Sequence, residues 1–329
     1  VIEARRYTPE LESDWNRFVA RSKNGVFLFD RGYMDYHADR FTDHSLVFLR
    51  DEELVAVFPA NLDAKTLVSH GGLTFGGLVT DYWMKTSLMM EIVDSLIAYG
   101  RAQGMARILY KAIPHIYHVV PAEEDLYALF RAGARLVRRD VALTIDQRGR
   151  ELYRDDEAVL ARASNSRMRN RVRNLRKARE AGVVVERGGR GTDLREFVEV
   201  LEEVLMTVHG ARPVHSHDEL DLLFERFPDQ IKLYVARRGG TLLAGAVIYE
   251  SNRNVAHAQY SANSAEGRKL RALDVVFEEL SDRVYRDWPY FDFGTSVEDE
   301  GRTLNARLAE YKESQGGRAV SYDYYELPL

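Results

Sequence analysis

The chain has 329 residues, 45% hydrophobic and 29% charged, with a formal net charge of -5 and no cysteine. That length suits two domains of roughly 150 residues, each with its own core, and the acidic balance argues against a general nucleic-acid binder. Without cysteine, disulfides, thiolate zinc sites and Cys nucleophiles are excluded; with no membrane-length apolar run and no signal-peptide pattern at its start, a cytoplasmic location is expected.

Leu11, Trp15, Phe18 and Val19 stand at helical spacing, and Asn24-Gly25 ends that helix before the apolar run 26–29, read as a strand. Ser45 to Arg50 and Leu54 to Asn61 flank the charged turn 51–53 and read as a β-hairpin. Four glycines punctuate the strand-like stretch 71–79, where backbone must approach something closely. Helix 85–103, strand 106–111, helix 123–131 and strand 137–145 complete the first half.

Composition turns polar around 146–156, which sets the expected domains at 1–148 and 149–329. A helix over 156–181 carries a run of arginines and lysines free of acids, with Met168, Val172 and Leu175 as a narrow apolar stripe that can pack on the protein. Strand 183–186, helices 193–207 and 218–227, strands 231–237, 242–250 and 254–261, helix 270–287, strand 289–295, helix 302–313 and strand 319–326 follow. The fold class expected is α/β with mixed sheets.

The order of the second half resembles the GNAT acyltransferase fold, and the first half repeats a truncated version, so that the tandem pair resembles Fem-type transferases and related sugar N-acyltransferases. Two stretches carry the likeness. Ser166-Arg167-Met168-Arg169-Asn170, with Arg173, Lys177 and Gly182-Val183, looks like the basic helix before the second Fem domain. Asp292-Phe293-Gly294-Thr295-Ser296, with Glu298-Asp299, Gly301-Arg302, Leu304-Asn305 and Tyr311-Lys312, resembles the last strand and helix of Fem-like sugar N-acyltransferases.

The resemblance implies a fork between strands 254–261 and 289–295 that takes acyl-CoA as co-substrate. In that scheme backbone at Tyr260 and Ser261 holds the thioester carbonyl, and Asn305 marks the late helix. The segment Ser264 to Arg271 departs from the glycine-rich pyrophosphate loop of the family by keeping one glycine, Gly267. Its Ser264, Arg268, Lys269 and Arg271 nevertheless put cations at a helix start, a natural anion site or ordinary solvated surface. Lys312 stands where the family often has a tyrosine acid.

N-acylation needs an unprotonated amine, donors for the oxyanion and a proton for the leaving group. Alternation sets Asp292 opposite Phe291 and Phe293, either facing the cleft or pairing a buried cation. His257 reads as a base or as a satisfied core group, and Glu298 as a catalytic residue or a helix cap. For the acceptor, His70, Lys111 and His115 lie at strand ends where they can build one wall of a pocket between domains. Arg167 is assigned to substrate phosphates, and Arg212 and His215 to the acceptor, on a loop that usually contacts it in GNAT proteins. No metal site is expected.

The leading expectation is acyl transfer from acyl-CoA to the amine of a nucleotide-linked amino sugar. Two alternatives stand beside it. One is the Fem reaction, from aminoacyl-tRNA to a peptidoglycan precursor, with tRNA the lesser candidate because no long heptad hairpin is present. The other is a non-enzymatic scaffold touching nucleic acid or membrane; DNA is not an expected partner.

Overall fold

The computed structural model describes residues 1–152, 166–210 and 213–329. Contacts divide them into two units, one of Val1–Val141, Val297–Thr303 and Val320–Leu329, the other of Ala142–Ser296 and Leu304–Ala319. The fold is mixed α/β in both. This division differs from the expected break at 148: the chain passes from one unit to the other inside a strand, and the C-terminal strand belongs largely with the first unit.

In the first unit, β1 (Ile2–Arg6), β2 (Leu46–Arg50), β3 (Glu53–Phe58) and β6 (Val79–Thr80) form an antiparallel sheet in the order β1–β2–β3–β6. The strands β4 (Asn61–Asp63), β5 (Thr66–Val68), β7 (Arg107–Lys111) and β16 (Arg318–Pro328) follow one another in a second sheet. Helix Thr86–Ala102 supplies Met89, Ile92, Val93 and Leu96 to the core, the i, i+3, i+4, i+7 stripe that its sequence encodes. The apolar run at 26–29 is a 3-10 turn, Phe27–Phe29, rather than a strand. Asn24 draws it in by exchanging hydrogen bonds with Leu78 and Thr80.

In the second unit the order is β8 (Arg135–Asp146, of which 142–146 lie here), β13 (Tyr290–Thr295), β12 (Val255–Asn263), β11 (Thr241–Ser251), β10 (Ile231–Arg238) and β9 (Val184–Gly188). All neighbours are antiparallel except β12 and β13. Helix Ala272–Glu279 covers one face, packing Val276 and Phe277 on Ala256, Phe291 and Phe293. Helix Thr192–His209 covers the other, since a Cβ on Gly245 of β11 would run into Phe197.

Three helical expectations change. The span 270–287 is broken into Ala265–Leu270, Ala272–Glu279 and a π-helical turn Leu280–Val284, because Arg271 adopts a left-handed φ of 64° between the first two. The late helix is Ala306–Ser314, preceded by the short pair β14 (Val297–Glu298) and β15 (Thr303–Leu304). In the basic helix, described as Ser166–Glu180, the inward positions are Arg171, Leu175 and Ala178. Leu175 is buried as expected, whereas Val172 is exposed and Arg171 takes the inward position beside it; the side chain of Met168 lies outside the described residues.

Candidate active site

The strands β12 and β13 pair in parallel at only three positions, Val255 with Tyr290, Ala256 with Phe291 and His257 with Asp292. Beyond His257 they part. The register of β12 on β11 shifts there, Ile248 facing Ala258 and Val247 facing Tyr260, so Gln259 is a bulged residue. On β13 the register with β8 also slips between Asp292 and Thr295. A fork bounded by two irregularities leaves backbone groups of both strands without ladder partners at its mouth.

At the last paired rung, cross-strand neighbours make a row across four strands: Thr144 on β8, Asp292 on β13, His257 on β12 and Tyr249 on β11. Directly opposed residues share a face of the sheet, here the face under helix Thr192–His209. Asp292 is wholly buried and accepts three hydrogen bonds, from Thr144 Oγ1 at 2.7 Å, from His257 Nδ1 at 2.7 Å and from the Gly294 N–H at 3.0 Å. Burial alone would raise its pKa, but these bonds and the adjacent imidazole hold it below the ordinary carboxylate value. Asp292 therefore does not face the cleft. It fixes His257 through Nδ1, while Nε2 has no partner among the described residues.

Gly294 has a φ of 73°, and a Cβ there would stand 3.2 Å from His257 Cε1, so the loop passes the imidazole edge with room for glycine alone. Lys312 is buried and donates to the carbonyls of Gly294 at 3.0 Å and Thr295 at 2.7 Å. Burial lowers its ammonium to about 8, with Asp292 acting the other way. Two backbone bonds make it a strut for the loop. Tyr311 packs on Phe277, on the sheet face opposite His257, and burial pushes its phenol well above the ordinary value.

Tyr260 stands just past the bulge. Its partner Val247 and His257's partner Tyr249 are two apart on β11, so both side chains lie on one face. The loop before helix His217–Arg226 brings His215 there, buried, with Nδ1 2.5 Å from the Tyr260 hydroxyl and the rings edge to face. Burial raises the Tyr260 phenol to about 12, against the hydrogen bonding to His215 and Gln259. The sequence reading placed His215 and Tyr260 in separate subsites, whereas they form one pair.

Other assigned residues take structural duties. Ser264 caps helix Ala265–Leu270 by accepting the Gly267 N–H at 3.0 Å, and a Cβ on Gly267 would collide with the Leu243 carbonyl and Asn263 Oδ1. The one glycine is thus demanded by packing on β11, and its N–H is already bonded. Arg268 reaches the Asn263 carbonyl at 2.8 Å, while Lys269, Arg271 and Ser261 are exposed. Asn305 is an N-cap, Oδ1 accepting from Leu308 N at 3.1 Å. Glu298 is exposed on β14, within the first unit, and the N-cap of the late helix is Asn305.

In the first unit Lys111 is buried and donates to the carbonyls of His70 at 2.7 Å and Leu73 at 2.5 Å; burial, then Arg138, brings it down to about 7. His70 is buried against His37, ring centroids 5.3 Å apart, and burial, reinforced by His37, Lys111 and Arg31, lowers it to about 3. His115 is exposed at the start of a 3-10 turn whose Ile116 and Tyr117 are buried. Arg167 is in the basic helix, and Arg212 lies outside the described residues. Among the described residues no group of three or more His, Asp or Glu is placed to hold a metal ion, and no helix is long and apolar enough to cross a membrane. Thr144 escaped the sequence reading; its hydroxyl inside the apolar run Val141 to Ile145 was the available signal.

Residues 165–313 match the Acetyltransferase (GNAT) domain family. No curated protein matches the chain. Among solved structures the chain resembles FemX, with 12% identity, TM-score 0.67 and coverage of 99% of this chain and 97% of that one. It also resembles L-PGS from Bacillus licheniformis, with 14% identity, TM-score 0.61 and coverage of 98% and 92%. A conserved protein of unknown function from Bacteroides thetaiotaomicron gives 10% identity, TM-score 0.63 and full coverage of both chains, at 100% and 100%. At such identities the likeness is one of fold. The fork of β12 and β13 lies within residues 165–313, the part of the chain that matches the Acetyltransferase (GNAT) domain family.

Proposed function

We propose that the protein is an N-acyltransferase in which the acceptor amine attacks an activated acyl carbonyl held in the β12–β13 fork and gives its proton to His257. The observation that carries this is the His257–Asp292 pair at the last rung before the strands part. An ionised Asp292 accepts Nδ1–H, so the lone pair of Nε2 is directed away from the carboxylate toward whatever occupies the fork. Backbone N–H groups freed at the bulge supply the oxyanion donors.

The first donor reading is acyl-CoA, with the amine of a nucleotide-linked amino sugar as acceptor, in a cytoplasmic enzyme. A second reading, aminoacyl-tRNA as donor and a peptidoglycan precursor as acceptor, is favoured by one observation. The pyrophosphate loop offers no free glycine N–H at Gly267, while Arg173, Arg176 and Lys177 expose cations on the basic helix. The fold likeness to FemX is compatible with it.

Transfer assays with acyl-CoAs and amino sugars, and separately with aminoacyl-tRNA and a peptidoglycan precursor, test both. One donor class is expected to turn over, with His257→Gln lowering kcat by about 10²–10⁴-fold. Turnover unaffected by His257→Gln removes the mechanism, and no turnover with either donor removes the function.

A further inference from the structure

We propose that the glycine loop at 70–74 in the first unit binds a diphosphate group, held by the N–H groups of Gly72 and Thr74 and by the side chains of His37, His70 and Lys111. The inference goes beyond the acyl-transfer reading and stands without it. It starts from polar groups that the fold leaves unsatisfied.

The parallel pairing of β5 with β7 ends at Val68 and Leu109. His70 then takes a φ of 39°, a left-handed conformation uncommon outside glycine, and the Leu73 N–H closes a turn on its carbonyl at 3.1 Å. Gly71 gives its N–H to Asn61 Oδ1. The N–H groups of Gly72 and Thr74 have no partner among the described residues, and both residues are exposed. Backbone N–H groups left open on a tight turn are the parts from which anion sites are made.

Two buried imidazoles adjoin the turn. His37 Nε2 and His70 Nδ1 are enclosed and without a hydrogen-bond partner among the described residues, their ring centroids 5.3 Å apart. His37 Nε2 meets the loop itself, 2.5 Å from where a Gly72 Cβ would stand. Native structures rarely leave such nitrogens unpaired, because each then bears its full desolvation cost. In the tautomers that carry the proton on these nitrogens, both rings offer the loop a donor.

Lys111 decides the sign of the ligand. Its buried ammonium donates to the carbonyls of His70 and Leu73, and no carboxylate is bonded to it. Arg31 and Arg138, the other cations that bear on His70 and Lys111, have acids of their own, Asp35 and Asp43 for the first and Asp140 for the second. A buried cation without a carboxylate is completed by an anion. A metal ion would find too few ligands, since no group of three or more His, Asp or Glu forms among the described residues. A diphosphate brings negative charge and several acceptor oxygens to a place that has only donors to give.

The test is an NMR titration of the isotope-labelled full chain with inorganic pyrophosphate, uridine diphosphate and CoA in turn. Saturable shifts of the Gly72 and Thr74 amides and of the His37 and His70 rings are expected. His37→Phe fills the same space without a nitrogen, and Lys111→Met keeps the stem without the charge. Each is expected to weaken pyrophosphate binding by about 10-fold or more, with thermal unfolding followed in parallel. Should either variant fail to fold, the wild-type shifts decide.

Tighter binding of uridine diphosphate than of pyrophosphate at the same amides would support the site and give it a nucleotide-linked ligand; tighter binding of CoA would give it the acyl donor. Equal affinities would mean that the diphosphate alone is read. The proposal is overturned if none of the three moves the loop amides, if shifts fall only on the basic helix Ser166–Glu180, or if both folded variants bind as wild type does. Ring shifts with zinc chloride and none with pyrophosphate would also overturn it.

Discussion

Asp292 and His257 are joined carboxylate to imidazole at 2.7 Å across the last rung of a parallel strand pair, the acid wholly buried and the imidazole partly open. Asp292→Asn tests what that bond does. An asparagine keeps an oxygen for Thr144 and Gly294, so it presents its NH₂ to His257, and Nδ1 must then accept. The proton moves to Nε2, which can no longer take one from an amine. We expect kcat to fall about 10²–10⁴-fold with KM for the acceptor little changed, and unfolding near that of wild type; steady-state kinetics beside thermal melts check both.

Gly294 and Lys312 act on the same loop from two sides, one by shape and one by hydrogen bonding. Gly294→Ala puts a Cβ on a residue at a φ of 73° and against the edge of His257. A loss of about 1–2 kcal/mol is expected, with kcat down because the imidazole is displaced. Lys312→Met removes two charge-assisted bonds and should lower both melting temperature and kcat. A fall in kcat at unchanged melting temperature would instead make Lys312 a proton donor.

The pairing of Asp292 with His257 was half legible in the sequence. Alternation with Phe291 and Phe293 singled out Asp292, and the apolar flanks Ala256 and Ala258 singled out His257, but strand periodicity says nothing of which strands meet. Thr144 stands 148 residues from Asp292 in the chain, and only the closure of β8 on β13 joins them. The misplaced start of the late helix has a local cause. Asp299, Glu300 and Gly301 all take positive φ, a turn that acids hide because they also favour helix starts. His215 was found as a loop histidine, and its bond to Tyr260 depends on how helix Thr192–His209 lies over the sheet.

His70 links burial to acid stability. Its folded pKa of about 3 lies below the ordinary 6.5, so the unfolded chain takes up a proton in the window between them and the native state does not. Stability is therefore full above 6.5 and falls as the pH drops through this window. His118, brought to about 4 chiefly by burial, acts in the same direction, while Asp125, raised to about 6 chiefly by burial, opposes it. The difference between wild type and His70→Gln isolates one group. Urea unfolding at pH 7 and pH 4.5 should show the wild type losing about 2 kcal/mol more than the variant. A parallel fall of both would mean that His70 is protonated in the folded state.

Gly267 separates packing from phosphate binding. The family resemblance casts this glycine as a backbone contact for a pyrophosphate, yet the structure gives it two reasons to be glycine that involve no ligand. A methyl group there would press on the Leu243 carbonyl of β11, which cannot yield without breaking its bond from Ser264 N at 2.8 Å. Gly267→Ala is expected to cost about 1–3 kcal/mol in the free protein, read as a fall of several degrees in melting temperature before any donor is added. If the free protein melts unchanged and only the stabilisation by acyl-CoA is lost, the glycine belongs to a pyrophosphate site after all, and the donor is a CoA ester rather than an aminoacyl-tRNA.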